Sequence, residues 1–94
     1  MNFEELKKFY GGKRVLITGH TGFKGSWLSK ILIMCGANLT GYALNPPTDT
    51  NIFDILGLDT EMNSVIGDIR DLERLKRVFD EVEPEYVIHM AAQP

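Results

Sequence analysis

The chain has 94 residues, 44% of them hydrophobic, and a net charge of −3. That length allows at most one small domain, burying roughly 60–65% of its unfolded surface, and the charge supplies no basic face for nucleic acid or another polyanion. A lone cysteine, Cys35, excludes an intrachain disulfide framework and fits a reducing, cytoplasmic compartment, while an N-terminus that carries acids and no apolar core, and the absence of a long apolar run, argue against a signal peptide or a membrane span.

Asn2 and Glu5 have capping-box spacing ahead of a short helix through Phe9, which Gly11-Gly12 breaks. Residues 13–18 read as strand one. Its consecutive Val15, Leu16, Ile17 and Thr18 suit a strand buried on both faces of a parallel sheet. The next segment is the most informative: Gly19-His20-Thr21-Gly22-Phe23-Lys24-Gly25 places a G-x-x-G-x-x-G turn between that strand and a helix. Such a turn brings bare backbone N–H groups and the positive end of a helix up to a phosphate. Gly19 permits the sharp exit from the strand, Gly22 removes a Cβ from the path of a pyrophosphate, and Gly25 lets helix and sheet approach. The strand–turn–helix setting is the context this motif requires.

From 23 to 35 the apolar Trp27, Leu28, Ile31, Leu32 and Cys35 recur at helical spacing, with Gly36 as the stop. Cys35 reads as a buried, inert thiol. Residues 39–44 form strand two, weakened by Gly41, and Asn45-Pro46-Pro47-Thr48-Asp49 is a loop. A short helical turn lies within 52–58, and Ser64-Val65-Ile66-Gly67 is strand three. Asp71 caps a helix whose expected buried stripe is Leu72, Leu75, Val78, Phe79 and Val82. After Glu83-Pro84, residues 86–91 form strand four, apolar on both faces like an interior strand. The alternation predicts an α/β fold: a Rossmann-type doubly wound parallel sheet of order 3-2-1-4, with residues 1–12 as a helical lead-in and 13–94 as a partial dinucleotide-binding domain.

In such sheets ligands bind at the carboxyl ends of the strands, and each informative motif lies at one. The turn contributes Gly19, Thr21, Gly22, Phe23, Lys24 and Gly25. After strand two comes Asn45. After strand three come Asp68, whose carboxylate can accept from an adenine amine, and Ile69, whose N–H can donate to a ring nitrogen. After strand four come Ala91 and Ala92, small enough for a chain passing a ribose and diphosphate, and Gln93. A carboxylate usually marks the ribose site about 20 residues past the glycines; Asn45 is uncharged. However, no lysine or arginine occurs from 31 to 69, where five acids fall (Asp49, Asp54, Asp59, Glu61, Asp68). A 2′-phosphate would find no partner there unless Lys24 or Arg70 reached it, so the expected cofactor is NAD. His20 reads as a backbone spacer or phosphate neighbour and His89 as a satisfied core histidine. Neither shows a partner for nucleophilic or metal chemistry, and no catalytic residue is assigned.

Thr18-Gly19-x-x-Gly22-x-x-Gly25, Gly67-Asp68-Ile69-x-Asp71 and His89-x-Ala91-Ala92 together resemble the extended short-chain dehydrogenase/reductase group, the NAD-dependent epimerase/dehydratase family. Gly19-His20-Thr21-Gly22-Phe23-Lys24-Gly25-Ser26-Trp27-Leu28, Gly41-Tyr42-Ala43-Leu44 and His89-Met90-Ala91-Ala92-Gln93-Pro94 are similar to the branch of it that dehydrates CDP-glucose. The resemblance implies an NAD-dependent lyase of nucleotide-sugar metabolism, homo-oligomeric as a whole, with a nucleotide-sugar substrate. It also implies that the catalytic tyrosine–lysine pair and the sugar-binding domain lie beyond residue 94, so that these 94 residues alone are expected to be inactive. Tyr86 is followed at the pair's spacing by Met90, not lysine. A nucleotide-sugar epimerase or reductase of the same family, or a non-catalytic dinucleotide-binding module, are the competing readings.

Overall fold

The computed structural model describes residues 2–46, 48 and 50–90. Along the chain run α1 (Phe3–Tyr10), β1 (Arg14–Thr18), α2 (Phe23–Met34), β2 (Asn38–Ala43), α3 (Ile52–Ile55), a 3-10 turn (Leu58–Thr60), β3 (Asn63–Ile66), α4 (Leu72–Val82) and β4 (Tyr86–His89). The strands are parallel in the order β3-β2-β1-β4, as the alternation predicts. Element ends differ from the sequence reading by one or two residues. Gly67, expected inside strand three, lies just past β3, where its N–H still donates to the Ala43 carbonyl at 2.9 Å.

β1 is the spine. Val15, Leu16 and Ile17 are wholly buried, and alternation sends them to opposite faces. Val15 and Ile17 pack with Leu32 of α2 and Leu39 of β2, whereas Leu16 packs with Tyr42 of β2 and Val78 of α4. The helices therefore cover the two faces separately, the doubly wound arrangement. At roughly 25 cal/mol per Å², burial of such side chains contributes about 1.5–3 kcal/mol each.

Three details depart from expectation. The face α2 turns inward consists of Gly25, Ser26, Ser29 and Leu32, while Trp27 and Ile31 remain 43% and 41% exposed. The helix sits too close to the chain beneath it for bulky side chains on its N-terminal half. Leu72, expected in the buried stripe of α4, is 72% exposed. It is the first helical residue, and the packed stripe begins one turn later at Leu75. Among the described residues His89 is exposed rather than a core histidine, because β4 is one of the two edge strands of the sheet. Its Nδ1 lies 2.6 Å from Thr18 Oγ1 on the neighbouring strand. Tyr86 and Val87 are likewise 36% and 48% exposed, as befits an apolar strand with one uncovered side.

The N-terminal end of α2 is the tightest point of the fold. A Cβ on Gly25 would overlap the Gly19 carbonyl oxygen and lie 2.8 Å from its carbon and 3.1 Å from His20 Cα. All three are backbone atoms, which no rotamer change can move aside. Gly25→Ala is therefore expected to destabilise the intact protein by about 3 kcal/mol, the upper end of ordinary overpacking. Denaturant unfolding checks this; a midpoint indistinguishable from wild type would contradict the close approach.

Candidate functional site

The turn after β1 is built by its own hydrogen bonds. Gly19 leaves the strand with φ +83°, a left-handed conformation that favours glycine. Its N–H donates to the Tyr42 carbonyl at 3.0 Å, and its carbonyl accepts from the Gly22 N–H at 3.2 Å. Thr21 Oγ1 donates to the Leu44 carbonyl at 2.8 Å, tying the turn to the end of β2. Ser26 Oγ donates to the His20 carbonyl at 2.8 Å, tying it to α2. Gly22 is the N-cap of α2 and offers no side chain to the first N–H groups.

That last feature separates α2 from the other α-helices described. Asn2, Asn51 and Asp71 cap α1, α3 and α4 with side-chain oxygens, and each of those helices carries an acid in its first turn. α2 has neither. The backbone N–H groups of Phe23, Lys24 and Gly25 meet no acceptor among the described residues. An uncapped helix start with three open donors and no acid in its first turn is a site for an anion. Gly22 adds the necessary space: a Cβ there would approach only the Gly19 oxygen, at 3.6 Å, so the fold does not need this glycine.

Beside the turn lies a cleft of about 310 Å³, lined by Gly19, Thr21, Gly22, Ala43, Leu44, Asn45, Gly67, Asp68, Ile69 and Met90. The carboxyl ends of all four strands thus meet in one cavity. Of the residues singled out from the sequence, Gly19, Thr21, Gly22, Asn45, Asp68 and Ile69 line it. Phe23, Lys24 and Gly25 do not line it; they follow Gly22 into α2, and Phe23 borders a neighbouring pocket with Thr21 and Gly22. Ala91, Ala92 and Gln93 lie outside the described residues. Ala43, Leu44, Gly67 and Met90 were not anticipated. Each ends or follows a strand of the sheet, so their position at a carboxyl end was a usable signal. Gly67 has a packing reason as well: a Cβ there would lie 2.6 Å from the ring of Tyr42, whose hydroxyl donates to the Asp68 carbonyl at 2.7 Å.

Asp68 is held by Arg70. The Arg70 backbone N–H and guanidinium donate to both carboxylate oxygens, with Nε at 3.0 and 3.1 Å and Nη2 at 2.6 Å from Oδ2. Hydrogen bonding from the Arg70 side chain, then from its backbone, lowers the Asp68 pKa to about 2. The carboxylate is thus an acceptor at any physiological pH, with lone pairs left for a further donor.

His20, in the middle of the turn, does not line the cleft. It is wholly buried, and that burial lowers its pKa to about 4. The folded state therefore holds the neutral ring, while the unfolded chain takes up a proton below about pH 6.5. Its contribution to stability is complete above that value and is lost as pH falls towards 4, by an amount on the order of 3 kcal/mol. Asp68 loses its contribution only at lower pH, between the ordinary carboxylate value of 3.8 and about 2. Unfolding free energies of wild type and His20→Gln, measured from pH 7 to pH 4, are expected to differ in slope, the wild type falling more steeply. Parallel curves would show that His20 is not buried in its neutral form.

A profile of the family described as GDP-mannose 4,6 dehydratase matches residues 16–94. The chain is 57% identical to the CDP-glucose 4,6-dehydratase of Salmonella typhimurium over 88 residues, which cover 94% of this chain and 24% of that protein. Among solved structures, the epimerase Mth375 from Methanothermobacter thermautotrophicus is 34% identical with a TM-score of 0.73, covering 97% of this chain and 26% of that one. The Bordetella bronchiseptica enzyme WbmG, in complex with NAD and UDP, is 27% identical with a TM-score of 0.72, covering 89% of this chain and 26% of that one. The chain spans about a quarter of the length of these relatives.

Proposed function

Since the chain belongs to the GDP-mannose 4,6 dehydratase family, we propose that it forms the NAD-binding part of a nucleotide-sugar 4,6-dehydratase acting on CDP-glucose. The uncapped start of α2, opening onto the cleft at Gly22, carries the cofactor half of this reading. Phe23, Lys24 and Gly25 would donate their N–H groups to the diphosphate. Asp68 and Ile69 would meet the adenine, and Leu44 and Asn45 would border its ribose. Bound there, NAD supplies a reversible hydride acceptor for a sugar that loses water between hydride removal at C4 and hydride return at C6.

The cofactor preference follows from charge. Residues 31–69 hold five acids and no lysine or arginine, and one of those acids, Asp68, lines the cleft. Arg70, one of two basic residues able to compensate, spends its guanidinium on Asp68. A 2′-phosphate there would lack a partner, costing roughly 1–4 kcal/mol in affinity. The likeness to the Salmonella dehydratase supports CDP-glucose as the substrate. The likeness to an epimerase fold supports a second reading, a nucleotide-sugar epimerase using the same cofactor half. On this reading the acid–base residues and the sugar-binding domain would belong to the rest of the protein rather than to residues 1–94. The lone cysteine, Cys35, buried on the sheet side at the end of α2, supports a reducing, cytoplasmic setting.

Incubating the intact protein with CDP-glucose tests both halves. The expected result is CDP-4-dehydro-6-deoxyglucose without net reduction of NAD, together with NAD binding several-fold to a thousandfold tighter than its 2′-phosphorylated form. A product epimerised at C4 with its hydroxymethyl group intact would favour the second reading. Equal binding of the two dinucleotides would overturn the charge argument.

A further inference from the structure

His20 carries the one buried side-chain polar atom left without a partner among the described residues, Nδ1. The rest of its ring is closely engaged. Nε2 lies 2.7 Å from Ser64 Oγ on β3. Phe53 of α3 meets the ring edge-on, with centroids 5.3 Å apart and planes at 80°. Below it lies Gly41 of β2, where a Cβ would collide with the ring, 2.5 Å from Nδ1 and 2.6 Å from Cδ2. The sheet register explains why these groups meet: Gly41 is paired with Ile17 of β1 on one side and with Ser64 of β3 on the other. A ring leaving the end of β1 and resting on Gly41 is therefore carried to Ser64.

The unpartnered nitrogen fixes the tautomer. A buried N–H without an acceptor is the rarer and costlier orphan, so Nδ1 is a bare lone pair and Nε2–H donates to Ser64 Oγ. Glycine inside a buried strand weakens it and marks a place where another group comes close. Here the group is an imidazole from the turn itself. The His20 main chain is held as well, since its carbonyl accepts from Ser26 Oγ of α2. One residue thus anchors the middle of the turn in two directions, through its ring to β2 and β3 and through its carbonyl to α2. Its flanks, Gly19 and Thr21, line the cleft.

We propose that His20 is a positioning residue for cofactor binding: its ring, seated on Gly41 and bonded to Ser64, holds the 19–22 turn at the height from which the first N–H groups of α2 face the diphosphate, with Gly41 and His20 as a matched pair. This rests on the dinucleotide reading of the turn. Neither the buried His20 ring nor Gly41 lines the cleft. The effect runs through the backbone, where a displacement of about 1 Å is enough to cost up to a hundredfold.

The test is NAD affinity, by calorimetry on the intact protein, with thermal midpoints measured alongside. His20→Ala removes the ring and its bond and is expected to weaken NAD about tenfold or more. His20→Gln keeps an N–H at the same reach and is expected to stay within about threefold of wild type. Gly41→Ala drives the ring out of its seat and is expected to match or exceed the loss in His20→Ala. The double variant His20→Ala with Gly41→Ala is expected to bind more tightly than Gly41→Ala alone, because the new methyl fills the space the ring leaves. Should Gly41→Ala fail to fold, Ser64→Ala serves in its place, with a loss of affinity expected from cutting the same bond. Failure of the wild type to bind NAD would overturn the dinucleotide reading, and this inference with it. With wild-type binding intact, lowered thermal midpoints at unchanged NAD affinity in His20→Ala would overturn the positioning role alone. So would equal losses in the Ala and Gln variants, or strictly additive effects in the double variant.

Discussion

The approach of α2 to the end of β1 is the constraint on which the rest of the structure depends. At Gly25 the helix lies against the Gly19 carbonyl with no room for a methyl group. The fully buried positions of the helix are accordingly small, Gly25, Ser26 and Ser29, until Leu32 reaches the core packed on Val15 and Ile17, with Leu28 partly buried against the same cluster. The two serines satisfy themselves against backbone, Ser26 on the His20 carbonyl and Ser29 on the Gly25 carbonyl at 2.7 Å. Their burial therefore leaves no orphan group, and the helix can sit close without an energetic penalty for buried hydroxyls. Close seating points the first turn of the helix over the carboxyl ends of β1 and β2, where the cleft opens.

Electrostatics at the cleft follow from what the helix start lacks. Elsewhere in the chain an Asn or Asp closes each α-helix start, and acids in the first turn offset the positive end. At α2 the chain leaves that end open, and the cleft beside it is lined by one carboxylate, Asp68, and by no lysine or arginine among the described residues. An anion is welcomed at one end and a second one discouraged at the other, which is the charge pattern of a dinucleotide with a free 2′-hydroxyl. Arg70 does not disturb that pattern, because its guanidinium is committed to Asp68.

Much of this was legible in the sequence, for identifiable reasons. Strand order follows from the alternation of elements and right-handed crossovers, and the turn follows from three glycines between an apolar strand and a helix. The residues brought to the cleft from 19, 22, 45, 68 and 69 were found because each sits at a strand's carboxyl end. What resisted reading was side-chain direction. Trp27 and Ile31 have helical spacing and are still exposed, since spacing alone does not tell which face an unusually close helix presents. Leu72 has the right period and the wrong place, at the helix start. His89 was read as interior from its apolar neighbours, but β4 is an edge among the described strands. Gly41 looked like a weak point of strand two until the position of the His20 ring gave it a reason. That contact joins residues far apart in sequence, and no local pattern announces it.

The central claim is that the turn from Gly19 to Gly25 is shaped for a dinucleotide's diphosphate and that Gly22 is a glycine for the ligand's sake rather than the fold's. Calorimetric titration of NAD into the intact protein carrying Gly22→Val tests it most directly, with circular dichroism on the same sample. A Val side chain at φ −79° is unstrained, and beyond the adjoining residues its Cβ would meet no atom of the described structure closer than 3.6 Å. The account predicts an unchanged spectrum and loss of NAD binding. An unchanged spectrum with wild-type NAD affinity would contradict it.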